Sequence, residues 1–223
     1  YSLDLGARSV IHGLYAITDA QLGEHLLTSV AAALAGGATL VQYRDKLSPS
    51  LTTTELSFEQ ARRHREASAL LALCRQHQVP LLINDDIELA ACIAADGVHL
   101  GQSDGHIATA RARLGSQAII GITCHNRLDL ADKAWKEGAS YLAFGAMFTS
   151  STKPQANQCP LSTLSAARAQ FPLPLVAIGG ITPDNVGTVI RAGADAVAVI
   201  SNLWQATDIQ QQAYQFSQEF TQT

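Results

Sequence analysis

Charge is scarce in this sequence: Asp, Glu, Lys and Arg make up 15% of 223 residues, against a hydrophobic fraction of 47%. That balance excludes a chain kept open by its own charge and implies a compact globular protein. Positive charge is not in excess either. A net charge of -4 excludes broad electrostatic affinity for nucleic acid or an anionic membrane, so an anionic ligand must be caught by a local cluster of cations and backbone amides. Long apolar runs are missing, since none approaches the roughly 18 residues of a membrane span, and no signal peptide is visible. Cys74, Cys92, Cys124 and Cys159 form no CxxC pair and no zinc-finger spacing with histidine. They read as free thiols, most of them core filler, in a reducing, cytoplasmic compartment. The sequence opens on Tyr1 rather than Met, and no function is attached to that end.

What is present is one unit, repeated. Short runs of Val, Ile, Leu and Ala follow Gly or Pro punctuation, and each leads into an Ala-rich helical stretch. The strands expected are GLYAIT (13–18), TLVQYR (39–44), PLLIND (80–85), GVHLG (97–101), AIIGIT (118–123), YLAFGA (141–146), PLVAIG (174–179) and AVAVIS (196–201). Helices are expected over 24–35, 56–77, 87–93, 106–113, 128–136, 161–169, 183–192 and 207–219. Glycines in LAGGAT, KEGASY and RAGADAV supply the positive φ that ends a helix. Eight strand–helix units in this length point to a single (β/α)8 TIM barrel across residues 1–223, with an open doubly wound sheet as the alternative. The irregular part is a longer loop around 47–57, rich in Ser, Pro and Thr, with its helix starting after Glu55 or Phe58. The charge run Arg62, Arg63, His64, Arg65, Glu66 reads as a solvated helix face.

In a barrel the chemistry sits at the C-terminal strand ends. Polar groups gather there at nearly every strand, whereas the opposite rim shows no comparable set. Arg44 and Lys46 at one strand end and Lys153 in another loop would converge on an anion, Arg as a fork across phosphate oxygens and Lys as a mobile point charge. Asp85 ends one strand and Asp104 follows the next. Carboxylates beside phosphate-binding cations suit Mg2+, which is typically held by one or two carboxylates plus substrate phosphates. Asp86 reads as the N-cap of the helix starting at Ile87. AIGGITPDNV offers a second anion site: Thr182 as N-cap, Pro183 and Asp184 opening a helix, and paired glycines that let a backbone N–H approach a phosphate. The loop after the last strand, at Ser201, adjoins it.

The ordered set VQYRDK, INDD, DGVHLGQSD, GITCHN, FGAMFTSSTK, AIGGIT and AVISN resembles the thiamine-phosphate synthase family from Tyr15 to about Asn202. Each motif alone is weak; the order makes the set specific. The resemblance implies an enzyme that joins hydroxymethylpyrimidine pyrophosphate to thiazole phosphate, through a pyrimidine cation formed as pyrophosphate leaves. It implies pyrophosphate held by Arg44, Lys46, Asn84, Thr123 and Lys153, with Arg44, Lys46 and Lys153 neutralising the leaving group, and Mg2+ bound through Asp85 and Asp104. Gln42 and His99 would line the pyrimidine site, Ser150 and Thr152 would lie against the thiazole, and Gly180, Ile200 and Ser201 would hold its phosphate. The expected partners are those two small molecules, with no nucleic acid and no membrane; a homodimer stays open.

The chain departs from the family where PTxTK becomes TSSTK and GPIF becomes GAMF. Two other readings stand beside the synthase. A thiazole tautomerase could recruit His125 for acid/base work, and a non-catalytic binder of thiamine precursors would bind without turnover. A Cys124–His125 nucleophilic pair is disfavoured, because neighbouring residues on a strand end point in different directions.

Overall fold

The computed structural model describes residues 11–149 and 158–221. All eight expected strands are there: β1 (Gly13–Ile17), β2 (Ala38–Tyr43), β3 (Leu81–Asn84), β4 (Gly97–Leu100), β5 (Ile119–His125), β6 (Tyr141–Gly145), β7 (Leu175–Ile178) and β8 (Ala196–Val199). Neighbours in sequence pair in parallel, and β1 closes on β8, so the sheet is a barrel and the open-sheet alternative is excluded. Helices α1 (Leu26–Ala35), α2 (Thr53–Gln76), α3 (Ile87–Ile93), α4 (Ile107–Leu114), α5 (Leu128–Lys136), α6 (Leu161–Gln170) and α7 (Val186–Arg191) follow β1 to β7 in turn. After β8 come the short α8 (Ser201–Trp204) and then α9 (Ile209–Glu219). None of the described helices is long and apolar enough to cross a membrane.

The period-2 alternation of each strand divides the core in two. Residues such as Leu14, Val41, Ile83, Val98, Ile120 and Leu142 face the helices and join the larger apolar cluster. Tyr15, Ile17, Leu40, Leu82, Tyr141 and Val176 are among those filling the barrel interior. Tyr141 fits inside because the position it faces is small: a Cβ on Gly121 would stand 1.9 Å from its Cζ. A Cβ on Gly97 would stand 1.8 Å from the carbonyl oxygen of Ile119, so that glycine serves the close approach of neighbouring strands.

Several expectations need correction. α2 begins at Thr53, not after Glu55 or Phe58, because Thr52 and Glu55 form a reciprocal capping box; the loop before it therefore ends at Thr52. The helix expected over 183–192 starts at Val186. Its cap is Asn185, whose side chain accepts from the Thr182 amide (2.9 Å) and donates to the Gly180 carbonyl (3.0 Å), leaving Pro183 and Asp184 in the preceding turn. A 3-10 segment, Ala20–His25, and α8 carry too few residues for a readable period. α8 is fixed instead by a tertiary bond from Trp204 Nε1 to the Ile17 carbonyl (2.6 Å).

The N-terminal rim is polar after all, but its side chains are engaged with backbone. Asp96 and Asp195 accept from the amides that open β3 and β7, at 2.8 and 2.7 Å, and Ser140 accepts from the Ile120 amide, the second of β5, at 3.0 Å. Arg111 and Arg168 donate to carbonyls of the adjoining loops. Those bonds satisfy strand ends and leave little to offer a ligand.

Candidate active site

At the end of β2 the chain alternates sides. Gln42 faces the interior, where its Nε2 donates to Tyr15 Oη at 2.6 Å. Tyr43 faces outward with its hydroxyl on Glu66 (2.7 Å), and buried Asp45 pairs with Arg62. Lys46 returns to the mouth and pairs with Asp85 at 2.9 Å. Arg44 is fixed through its amide, which donates to the Thr18 hydroxyl at 2.9 Å, and its guanidinium makes no ion pair with any described residue.

The charge run on α2 is therefore not simply a solvated face. Arg62 knits Asp45, Glu59 and Glu66 together behind the rim. Arg63 is buried (7% exposed) and holds Asp86 at 2.9 Å. Asp86 does cap α3, accepting from the Leu89 amide at 2.9 Å, so one carboxylate joins two helices at the edge of the site. Nothing in the sequence marks Arg63 out from its charged neighbours; only its i, i+4, i+8 relation to Ala67 and Leu71 on the buried stripe could have.

Asp85 has φ 61 and sits at a tight turn in which the Asp86 amide donates to the Asn84 carbonyl (2.7 Å). Left-handed backbone is uncommon for a residue with a Cβ and concentrates at functional sites. Here it accompanies a carboxylate that takes bonds from Asn84 Nδ2 (2.7 Å), Lys46 and the Gly101 amide (3.4 Å). Asp104 meets it at the same glycine, since a Cβ on Gly101 would lie 2.2 Å from Asp104 Oδ2. Lys46, Asn84, Asp85 and Asp104 line one cleft of about 550 Å³. No group of three or more His, Cys, Asp or Glu able to hold a metal occurs among the described residues. Two hard oxygen ligands facing a cleft with room for a phosphate fit Mg2+, which leaves part of its coordination shell to substrate and water.

Beneath the cleft a hydrogen-bond chain crosses the barrel interior. It runs from Gln42 to Tyr15, then to Tyr141 Oη (2.9 Å), His99 Nδ1 (2.8 Å) and, from His99 Nε2, to Thr123 Oγ1 (2.8 Å). The His99 ring stacks on Tyr141, with centroids 5.7 Å apart. Loss of hydration pushes the imidazole pKa down to about 4 against the opposing charge of Asp85, so His99 is neutral near pH 7. Burial likewise raises both phenols, which stay protonated. Sequence reasoning finds Gln42, His99 and Thr123 but misses Tyr15 and Tyr141. Their inward parity, shared with Gln42 and His99, is the available signal.

On the far side of the mouth Gly180 has φ 64, and a Cβ there would lie 2.7 Å from the carbonyl oxygens of Phe148 and Thr149. The missing side chain thus serves close packing of the β6 and β7 loops as well as any approach of a ligand. Ile200 and Ser201 stand next to it, because β7 pairs with β8 and Asn202 Nδ2 donates to the Ile181 carbonyl (2.8 Å). Ser150, Thr152 and Lys153 lie outside the described residues. His125 is exposed, with φ 54. Cys124 is buried among the helix-facing side chains with its thiol pKa raised to about 12, so a Cys124–His125 nucleophile does not form.

A family profile described as thiamine monophosphate synthase matches residues 14–203. The chain belongs to that family. It is 53% identical over 211 residues to the thiamine-phosphate synthase of Methylobacillus flagellatus, covering 94% of this chain and 96% of the relative. The thiamine-phosphate synthase of Nitrosococcus oceani is 50% identical over 214 residues, covering 95% and 94%. Among solved structures, thiamine phosphate pyrophosphorylase from Pyrococcus furiosus superposes with a TM-score of 0.83 at 31% identity, covering 96% of this chain and 98% of that one. Membership in that family makes the chain an enzyme of transferase type that acts on small molecules.

Proposed function

We propose that this single-barrel protein is a thiamine-phosphate synthase, joining hydroxymethylpyrimidine pyrophosphate to thiazole phosphate and releasing pyrophosphate and thiamine phosphate. The observation that carries the reading is the convergence of Lys46, Asn84, Asp85 and Asp104 on one cleft at the C-terminal mouth. A tautomerase acting on the thiazole alone would leave that set without a task, and no contact of His125 favours acid/base work.

In this reading the pyrophosphate lies against Arg44, Lys46, Asn84 and Thr123, with Lys153 from the β6 loop. Gln42 and His99 form the floor of the pyrimidine pocket, Ser150 and Thr152 face the thiazole, and its phosphate lies near Gly180, Ile200 and Ser201. Asp85 and Asp104 would hold Mg2+, which would supply further neutralisation of pyrophosphate charge. Breaking the C–O bond puts charge on the departing oxygen and a positive charge on the pyrimidine methylene. Lys46, held at 2.9 Å by Asp85 before any ligand arrives, needs little reorganisation to answer the first. A neutral His99 adds no repulsion to the second. The thiazole nitrogen then attacks the cation, so the protein supplies proximity and electrostatic complementarity rather than a nucleophile.

The test is to incubate the folded protein with both substrates and Mg2+ and to separate the products by chromatography. Thiamine phosphate and pyrophosphate should appear only when both substrates are present. Aromatisation of the thiazole phosphate with no coupling would replace the proposal with the tautomerase.

A further inference from the structure

The Gln42 end of the interior hydrogen-bond chain sets a direction that the other links can follow. The Gln42 amide nitrogen has hydrogens and no acceptor site, so the Tyr15 oxygen accepts from it at 2.6 Å. The Tyr15 proton is then free for Tyr141, and the Tyr141 proton for His99 Nδ1. A neutral imidazole that accepts at Nδ1 must carry its proton at Nε2. That N–H meets Thr123 Oγ1 at 2.8 Å, so the threonine oxygen accepts and its own hydrogen is left over. Thr123 lies on the inward side of β5, at the mouth.

We propose that Tyr15 and Tyr141 are positioning residues whose paired hydroxyls fix the Nε2–H tautomer of His99 and so leave the Thr123 hydroxyl as a donor to an anion in the barrel mouth. The part concerning the anion rests on the proposed function; the tautomer does not. Reversal of the chain would turn the Thr123 proton inward onto His99 Nε2 and present an oxygen lone pair to the anion, an arrangement that repels what the site is meant to hold. Burial strengthens the bias. Both rings are almost wholly enclosed, at 1% and 0% exposure, so no water competes for the hydroxyls, and an orphaned link would carry a full desolvation cost. The room for this device is made by Gly121, where a side chain would strike the Tyr141 ring.

Nitrogen-15 NMR of the histidine-labelled protein near pH 7 reads the tautomer directly, because protonated and unprotonated imidazole nitrogens resonate far apart. His99 should show Nε2–H in the free protein. Tyr141→Phe should give a mixture of tautomers or Nδ1–H, with roughly tenfold weaker binding of inorganic pyrophosphate, the size of one hydrogen bond to a charged acceptor. Thr123→Val should lose the same affinity while keeping the wild-type tautomer, which a merely structural defect would not do. Nδ1–H in the wild-type protein overturns the proposal even if Tyr141→Phe fails to fold. So does a folded Tyr141→Phe protein with unchanged tautomer and unchanged affinity. An Nε2–H wild-type protein that binds no pyrophosphate overturns the assignment of the mouth and of Thr123 as its donor, and leaves the tautomer setting standing.

Discussion

Replacing Gly121 by alanine probes the interior packing that positions the site. The new Cβ would stand 1.9 Å from Tyr141 Cζ, 2.2 Å from Oη and 2.3 Å from Cε1, whereas carbon atoms rest about 3.5–4.0 Å apart. The ring must therefore retreat by well over an ångström, more than the bonds from Oη to Tyr15 (2.9 Å) and His99 (2.8 Å) can tolerate. Overpacking costs about 1–3 kcal/mol, and buried partners left unsatisfied cost about 1–3 kcal/mol each. A total of about 3–9 kcal/mol is a large share of the roughly 5–15 kcal/mol that holds a domain together. Urea unfolding followed by circular dichroism should show the midpoint falling at an unchanged slope. Combining Gly121→Ala with Tyr141→Leu should recover part of the loss, as a double-mutant cycle would register. A destabilisation below about 1 kcal/mol for Gly121→Ala would refute the packing argument and, with it, the claim that this glycine makes room for the tyrosine.

Other perturbations separate the parts of the mouth. Asp104→Ala should sharply reduce turnover and raise the Mg2+ concentration needed, while Asp85→Ala should do so and also release Lys46 from its partner; normal turnover with unchanged Mg2+ dependence in both would refute their placement as ligands. His99 has a folded pKa of about 4, below the ordinary 6.5, so the unfolded chain takes up the proton first as pH falls. Stability should therefore drop between pH 6.5 and 4, by up to roughly 3 kcal/mol, and that component should vanish in His99→Gln. Equal pH slopes for the two proteins in denaturant titrations would contradict the burial of a neutral imidazole.

The barrel and most of the mouth were legible because they depend on local, periodic signals. Short apolar runs after Gly or Pro mark all eight strands, and the polar residues at and just past their ends include Gln42, Lys46, Asn84, Asp85, His99 and Thr123. What escaped depends on tertiary partners. Tyr15 and Tyr141 look like core aromatics until strands 126 residues apart bring their hydroxyls together. Arg63 differs from Arg62 only in which side of α2 turns toward Asp86. α7 starts at Val186 rather than at Pro183: Thr-Pro-Asp mimics a helix opening, whereas Asn185 reaches back to Gly180 and closes a turn first. α8 has no readable period at all and is held by Trp204 reaching β1.

Under the proposed function the charged end of β2 acts on the departing pyrophosphate, and the single-turnover rate of Lys46→Ala, measured with saturating substrates beside inhibition by inorganic pyrophosphate, reads that role. The lysine charge gains value as the C–O bond breaks, so the chemical step should slow by about 10²–10³-fold, the usual consequence of removing one group aimed at developing charge. Pyrophosphate inhibition should weaken by only about tenfold, the ground-state share of the same contact. A single-turnover rate equal to that of the wild-type protein, with only thiazole phosphate binding altered, would contradict the account.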